Sequence, residues 1–98
     1  MLKSKRTLWK ILILEKAEDD LAWFRKHQKS YYMKCFDLIR EIAQDPRQGT
    51  GKPERLKYFQ QEVWSRRVSH EHRLVYVIYS DTHEIDIVSC KSHYDGVV

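Results

Sequence analysis

Leu8–Leu14 reads Leu-Trp-Lys-Ile-Leu-Ile-Leu, a short run rich in β-branched and aromatic residues that predicts a first strand. The period then changes. Ala17, Leu21 and Phe24 recur at i, i+4 and i+7, which puts one apolar face on a helix. Glu18, Asp19 and Asp20 fall in its early turns, where negative charge complements the helix dipole. Ser30 is the expected N-cap of a second helix, along which Tyr32, Cys35, Phe36, Ile39, Ile42 and Ala43 form one stripe. Asp45-Pro46 ends that helix, because proline disfavours helical geometry in the residue before it. Gln48–Pro53 reads as a loop, and beyond it the period is 2. Val63–Ser69, Leu74–Ser80 and Ile85–Cys90 are the expected strands. Asp81-Thr82-His83 is a turn between the last two, and His70-Glu71-His72-Arg73 spans the earlier turn and the start of the next strand. A strand, two helices and then antiparallel strands predict an α+β domain, with both helices packed on one face of a mostly antiparallel sheet.

A length of 98 residues implies one domain over residues 1–98, with residues 1–7 as a flexible basic lead. Apolar content of 42% and charged content of 33% fit a globule rather than a disordered chain. No apolar run approaches the roughly 20 residues of a membrane span. The stretch after Lys3, Lys5, Arg6 and Lys10 is too short for a signal-peptide core, and acidic residues follow at once. The expected location is therefore the cytoplasm, with no membrane partner. Cys35 and Cys90, with no CxxC spacing, are expected as reduced buried thiols rather than a disulfide or a metal site.

The formal net charge is +4, and its distribution says more than its size. Residues 47–73 carry Arg47, Lys52, Arg55, Lys57, Arg66, Arg67 and Arg73 against Glu54, Glu62 and Glu71. Residues 74–98 hold Lys91 against Asp81, Glu84, Asp86 and Asp95. Positive charge concentrated in the middle of the chain suits a polyanion such as RNA, or simply a solvated face.

The sequence has no Gly-rich phosphate loop, HExxH or GxSxG. His70 and His72 would share a face on a strand, but no third and fourth metal ligands accompany them. Cys35 lies on the apolar helix stripe, which favours packing over nucleophilic chemistry. A stronger constellation is Glu54, Arg73, His93 and Tyr94, with Lys52, Lys57, Arg66 and Arg67 around it. Cutting RNA without a metal or other cofactor needs a base for the 2′-hydroxyl, an acid for the departing 5′-oxygen and positive charge for the phosphate. A carboxylate, a histidine and an arginine suit these tasks, and an aromatic can stack on an unpaired base. Composition does not select these residues. Glu54 could equally pair with Lys52 or Lys57, Arg73 with Glu71 or Asp86, and Trp64 could be core rather than a stacking platform.

Gly51-Lys52-Pro53-Glu54-Arg55-Leu56-Lys57 resembles the GKPEPLK segment of the YoeB (Txe/YoeB) toxins. Val63–Tyr76 resembles the family's WSRRI–EHRLVY run, and Cys90-Lys91-Ser92-His93-Tyr94 its C-terminal C-R-x-H-Y. Asp20-Leu21-Ala22-Trp23 is similar to its D-Y-x-x-W pattern on the first helix. The resemblance spans roughly residues 8–94 in ordered motifs.

It implies a RelE-like microbial ribonuclease fold, cleavage of mRNA in the ribosomal A site, and neutralisation by a YefM-like antitoxin. By motif, Glu54 would be the general base, Arg73 would stabilise the phosphate, His93 would be the general acid, and Tyr94 would orient the substrate or stack on a base. Lys57 and Arg66 match basic positions expected to bind RNA phosphate. Arg67 is a weaker match, because sharing a face among Trp64, Arg66 and Val68 turns Arg67 to the other side. A homodimer is implied, and DNA contacts would come only through the antitoxin. Arg55 replaces the second proline of the glutamate loop, His70 stands where an acidic residue is common, and Asp95–Val98 continue past the His-Tyr pair. Two rival roles use the same basic face: a ribosome- or RNA-binding inhibitor that does not cut, and a corepressor within a DNA-binding toxin–antitoxin complex.

Overall fold

Chain order in the computed structural model, which describes residues 7–91, is β1 (Lys10–Ile13), α1 (Glu15–His27), α2 (Lys29–Gln44), β2 (Glu54–Leu56), β3 (Glu62–Arg67), β4 (Arg73–Tyr79) and β5 (Glu84–Ser89). The strands form one sheet in the order β1-β5-β4-β3-β2. β1 runs parallel to β5, and the other neighbours are antiparallel. The expected α+β arrangement is thus observed, with one additional strand. β2 is three residues long and lies at the sheet edge, where alternation over so short a run carries little signal.

Both helices lie against one sheet face. α1 buries Ala17, Asp20, Leu21 and Phe24, and α2 buries Cys35, Leu38, Ile39 and Ile42. They meet Leu74, Tyr76, Ile78, Ile85 and Ile87 from the sheet. Each large apolar side chain fully buried here contributes about 1.5–3 kcal/mol. Glu15 and Glu18 in the first turn of α1, with Arg25, Lys26 and His27 in its last, oppose the helix dipole favourably.

The helix junction differs from expectation. Gln28, not Ser30, stands between the helices, and neither end has a side-chain cap. The Gln28 N–H donates to the Phe24 carbonyl at 2.7 Å, while its own carbonyl accepts from Tyr31 and Tyr32. One residue therefore closes α1 and opens α2 through its backbone, which leaves Ser30 inside the first turn. Asp45 ends α2 as expected, its N–H donating to the Glu41 carbonyl.

The opposite sheet face carries a smaller apolar cluster of Leu56, Val63, Val75 and Val77, with Phe59, Tyr79 and Val88 beside it. β4 is consequently buried on both faces. A register shift opposite Val75/Tyr76 leaves Val88 as an extra residue in β5. This bulge re-aims the strand so that Cys90 joins the core on the helix side. Cys35 and Cys90 are free, buried thiols. A hydrogen bond with Cys35, followed by burial, pushes the Cys90 thiol far above the ordinary range. Among the described residues no helix is long and apolar enough to cross a membrane.

Candidate functional site

Directly paired residues on neighbouring strands point to the same sheet face, so the register fixes which side chains gather there. Glu54 of β2 is opposite Ser65 of β3, and Ser65 is opposite Val75 of β4. One pleat along β3, Arg67 is opposite Arg73. Two strand residues advance the chain about 6.8 Å. Glu54, Arg67 and Arg73 therefore cluster at one end of the face turned away from the helices. Among the described residues, none of the ion pairs uses Glu54, Lys52, Lys57, Arg67 or Arg73. Arg73 instead donates through Nη1 to the carbonyls of Ser69 (3.0 Å), His70 (3.3 Å) and His72 (3.3 Å), all in the β3–β4 turn. A single terminal nitrogen makes these bonds, and they hold one corner of the guanidinium against the turn at the sheet end.

Arg66 corrects the sequence reading. It was expected at RNA phosphate, yet it is fully buried on the helix side, opposite Leu74. Its Nε donates to the Tyr76 hydroxyl at 3.1 Å, and Nη1 donates to Thr50 O and Glu41 Oε1, both at 3.3 Å. Nη2 donates to Asp45 O at 2.9 Å and Gln48 O at 2.8 Å. The Tyr76 hydroxyl in turn donates a hydrogen bond to Pro46 O at 2.6 Å. A buried arginine needs such a full set of acceptors, so this guanidinium serves the loop between α2 and β2 rather than a ligand. Burial also pushes the Tyr76 phenol above its ordinary value.

That loop delivers Glu54. Glu41 accepts from the Thr50 N–H at 2.8 Å and the Thr50 hydroxyl at 2.7 Å. These bonds, the backbone one first, hold the Glu41 carboxyl below its ordinary value. Gly49 has φ +134°, and a Cβ there would sit 2.5 Å from Glu41 Oε1 and 2.6 Å from Arg66 Nη1. The Gly51 carbonyl accepts from Arg67 N–H at 2.7 Å, which joins the loop to the end of β3. Lys52 turns the chain with φ +50° before Pro53 and Glu54. Lys52, Glu54, Lys57 and Arg67 are exposed, and Arg73 is half-buried.

His93 and Tyr94 lie outside the described residues. The chain leading to them is anchored by Asp20, the aspartate of the segment similar to D-Y-x-x-W, to which the sequence reading assigned no contact. Asp20, 5% exposed on α1, accepts from the backbone N–H groups of Cys90 (2.9 Å) and Lys91 (3.1 Å) through Oδ2 and pairs with Lys16 at 2.8 Å. Its sequence neighbours Glu18 and Asp19 are exposed. Its place on the buried helix face sets it apart from them.

The remaining candidates separate. His72 packs edge-on to Phe24 and Tyr31, with centroids at 5.2 and 5.8 Å, while His70 is exposed in the turn. Among the described residues no His, Cys, Asp and Glu side chains gather in a group that could hold a metal ion. Trp64 packs against the main core and donates its indole N–H to Glu62 at 2.8 Å. Tyr58, which the sequence did not single out, is fully exposed in the turn after β2.

The family model for YoeB-like toxins of bacterial type II toxin–antitoxin systems matches residues 14–94. Toxin YoeB of Synechocystis is 42% identical over 85 residues, covering 87% of this chain and 96% of the relative. The YoeB/ParE toxin structure from Agrobacterium tumefaciens superposes with TM-score 0.80 at 33% identity, over 87% of this chain and 99% of that one. YoeB from Staphylococcus aureus, 37% identical, aligns over 88% of this chain and 98% of that one, with TM-scores of 0.77 as a dimer and 0.74 in its YefM complex. The motifs quoted above, the sheet register and these likenesses agree: the chain belongs to the YoeB toxin family of type II toxin–antitoxin systems.

Proposed function

We propose that this toxin is an endoribonuclease that cuts mRNA in the ribosomal A site and so stops translation. The observation that carries the reading is the register that sets Glu54, Arg67 and Arg73 on one sheet face. RNA brings its own nucleophile, so acid–base catalysis and charge stabilisation suffice without a metal ion or other cofactor. Glu54 takes the proton from the 2′-hydroxyl, and the 2′-oxygen attacks the adjacent phosphorus. Arg73 neutralises charge gathering on the phosphoryl oxygens. His93 gives its proton to the 5′-oxygen as that bond breaks, which leaves a 2′,3′-cyclic phosphate and a free 5′-hydroxyl. Tyr94 orients the reacting nucleotide. Lys52, Lys57 and Arg67 contact flanking phosphates, and Arg66 takes no part in binding RNA.

The toxin acts in the cytoplasm, where translating ribosomes are found, and a YefM-like antitoxin restrains it. Antitoxin binding and homodimerisation are carried over from the S. aureus YoeB–YefM complex and YoeB dimer. DNA contacts in such a complex come from the antitoxin. The test is primer extension on mRNA recovered from ribosomes treated with wild-type toxin in EDTA-containing quench, with end-group analysis. Breaks at A-site codons ending in 2′,3′-cyclic phosphate support the reading. Arrested ribosomes carrying intact mRNA would make the protein a binding inhibitor instead.

A further inference from the structure

Tyr58 occupies the turn between β2 and β3, two residues beyond the buried Leu56. Its neighbour Phe59 folds inward onto the Leu56–Val63–Val75–Val77 cluster. Tyr58 itself is fully exposed, the most exposed of the large apolar side chains among the described residues. Its backbone has φ +72°, a left-handed conformation that side chains other than glycine rarely adopt. A residue with no burial to gain and an unfavourable backbone would ordinarily be glycine or asparagine in such a turn. A tyrosine here makes no contribution to the core that accounts for it.

The surroundings indicate what the ring could meet. An open hollow of about 330 Å³ is lined by Glu54, Arg55, Leu56, Lys57, Tyr58 and Phe59. Tyr58 and Glu54 thus border the same space. Lys57 and Arg55 supply positive charge at its rim. A flat aromatic ring flanked by cations, beside a carboxylate suited to a 2′-hydroxyl, matches a nucleotide whose base is unstacked and whose phosphate is nearby.

Resting on the ribonuclease reading above, we propose that Tyr58 is the stacking platform for an unpaired nucleobase of the mRNA, seated in the hollow it shares with Glu54. Stacking holds the nucleotide so that the ribose beside Glu54 is presented to the carboxylate. Tyr58 acts as a binding residue, and its contribution is to substrate affinity. The platform is sequence-tolerant because every base has a flat face.

Tyr58→Gly separates this role from a structural one, because glycine relieves the left-handed backbone while deleting the ring. The test compares Tyr58→Gly, Tyr58→Leu and Tyr58→Phe with wild type. It reads thermal stability, affinity for a short single-stranded oligoribonucleotide, and the rate of A-site cleavage against ribosome concentration. Tyr58→Gly is expected to keep or raise Tm and to weaken RNA binding about 5- to 100-fold, the range for loss of one base–aromatic stack. In cleavage the loss falls on KM. Tyr58→Phe restores binding, and Tyr58→Leu, of similar bulk but without a π-face, does not. Unchanged RNA affinity and KM in Tyr58→Gly would overturn the proposal, as would equal rescue by Leu or a defect confined to antitoxin binding. Failure of the ribonuclease reading looks different, since wild type itself would then leave the mRNA intact.

Discussion

Arg67 and Arg73 are direct partners across β3 and β4, on the sheet face that also carries Glu54. Like charges placed opposite each other in a sheet are destabilising, and while the β3–β4 turn carbonyls account for Arg73, folding gives no reason for an exposed Arg67 beside it. A polyanion resting on the face does. Arg67→Ala is therefore expected to leave Tm unchanged or slightly higher while weakening RNA binding. Each lost phosphate contact on single-stranded RNA makes the negative slope of log K against log salt shallower by about 0.7. Titrations at several salt concentrations check this, and a slope equal to wild type would remove Arg67 from the interface.

Arg66, the next residue along, should behave in the opposite way. Its guanidinium bonds Tyr76, Glu41 and the carbonyls of Asp45, Gln48 and Thr50 from a fully buried position. Arg66→Ala strands those acceptors and is expected to cost about 3–5 kcal/mol, a fall in Tm of more than about 10 °C for a chain of this size. Arg66→Lys should not restore stability, since one ammonium cannot span a fork of acceptors. Thermal unfolding of both variants is the check.

Acid should loosen the same loop. Thr50 holds the Glu41 carboxyl below its ordinary value of 4.5 through its N–H and hydroxyl. Glu62 is likewise lowered, first by its hydrogen bond from Arg47. A carboxyl lowered in the folded state stabilises the fold above its unfolded value, and that contribution is lost as pH falls through the folded value. Stability should therefore hold from neutrality down to near pH 4.5 on account of these groups and decline below it. In Glu41→Gln and Glu62→Gln the decline should be shallower, which denaturant titrations between pH 3 and 7 would reveal; identical slopes would speak against both pairs.

Asp20 makes a prediction about the far end of the chain. Its carboxylate accepts from Cys90 and Lys91 N–H groups. Asp20→Ala leaves these donors without their acceptor and should cost about 1–3 kcal/mol. Hydrogen exchange should quicken most at the Cys90 and Lys91 amides, and Asp20→Asn, which keeps a carbonyl oxygen, should recover much of the protection. Uniform loss of protection along β5 would instead mean that Asp20 supports the strand as a whole.

The helices and the three longer strands were legible because each is long enough for its apolar period to show. β2 was not, since one buried residue among three gives no alternation. The face assignment of β3 was also legible: Trp64 and Arg66 lie on one side and Arg67 on the other. What the strand pattern could not show is that α2 and the loop from Asp45 to Gly51 cover the Arg66 side. A basic residue expected at RNA is therefore inside, and the one rated as the weaker match faces out. Asp20 was hidden for a similar reason. The amides it anchors are some seventy positions away, and neither the D-Y-x-x-W-like segment nor its i,i+4 pair with Lys16 points to them. Tyr58 gave no periodic signal at all, because its exposure comes from a single left-handed turn.

The most direct test of acid–base catalysis is to add wild type, Glu54→Ala and His93→Ala to translating ribosomes and measure ribosome binding and mRNA cleavage in the same samples. The account predicts A-site breaks with wild type, and variants that bind ribosomes with unchanged affinity but cut at least about a hundredfold more slowly. Variants that bind and cut like wild type would contradict it.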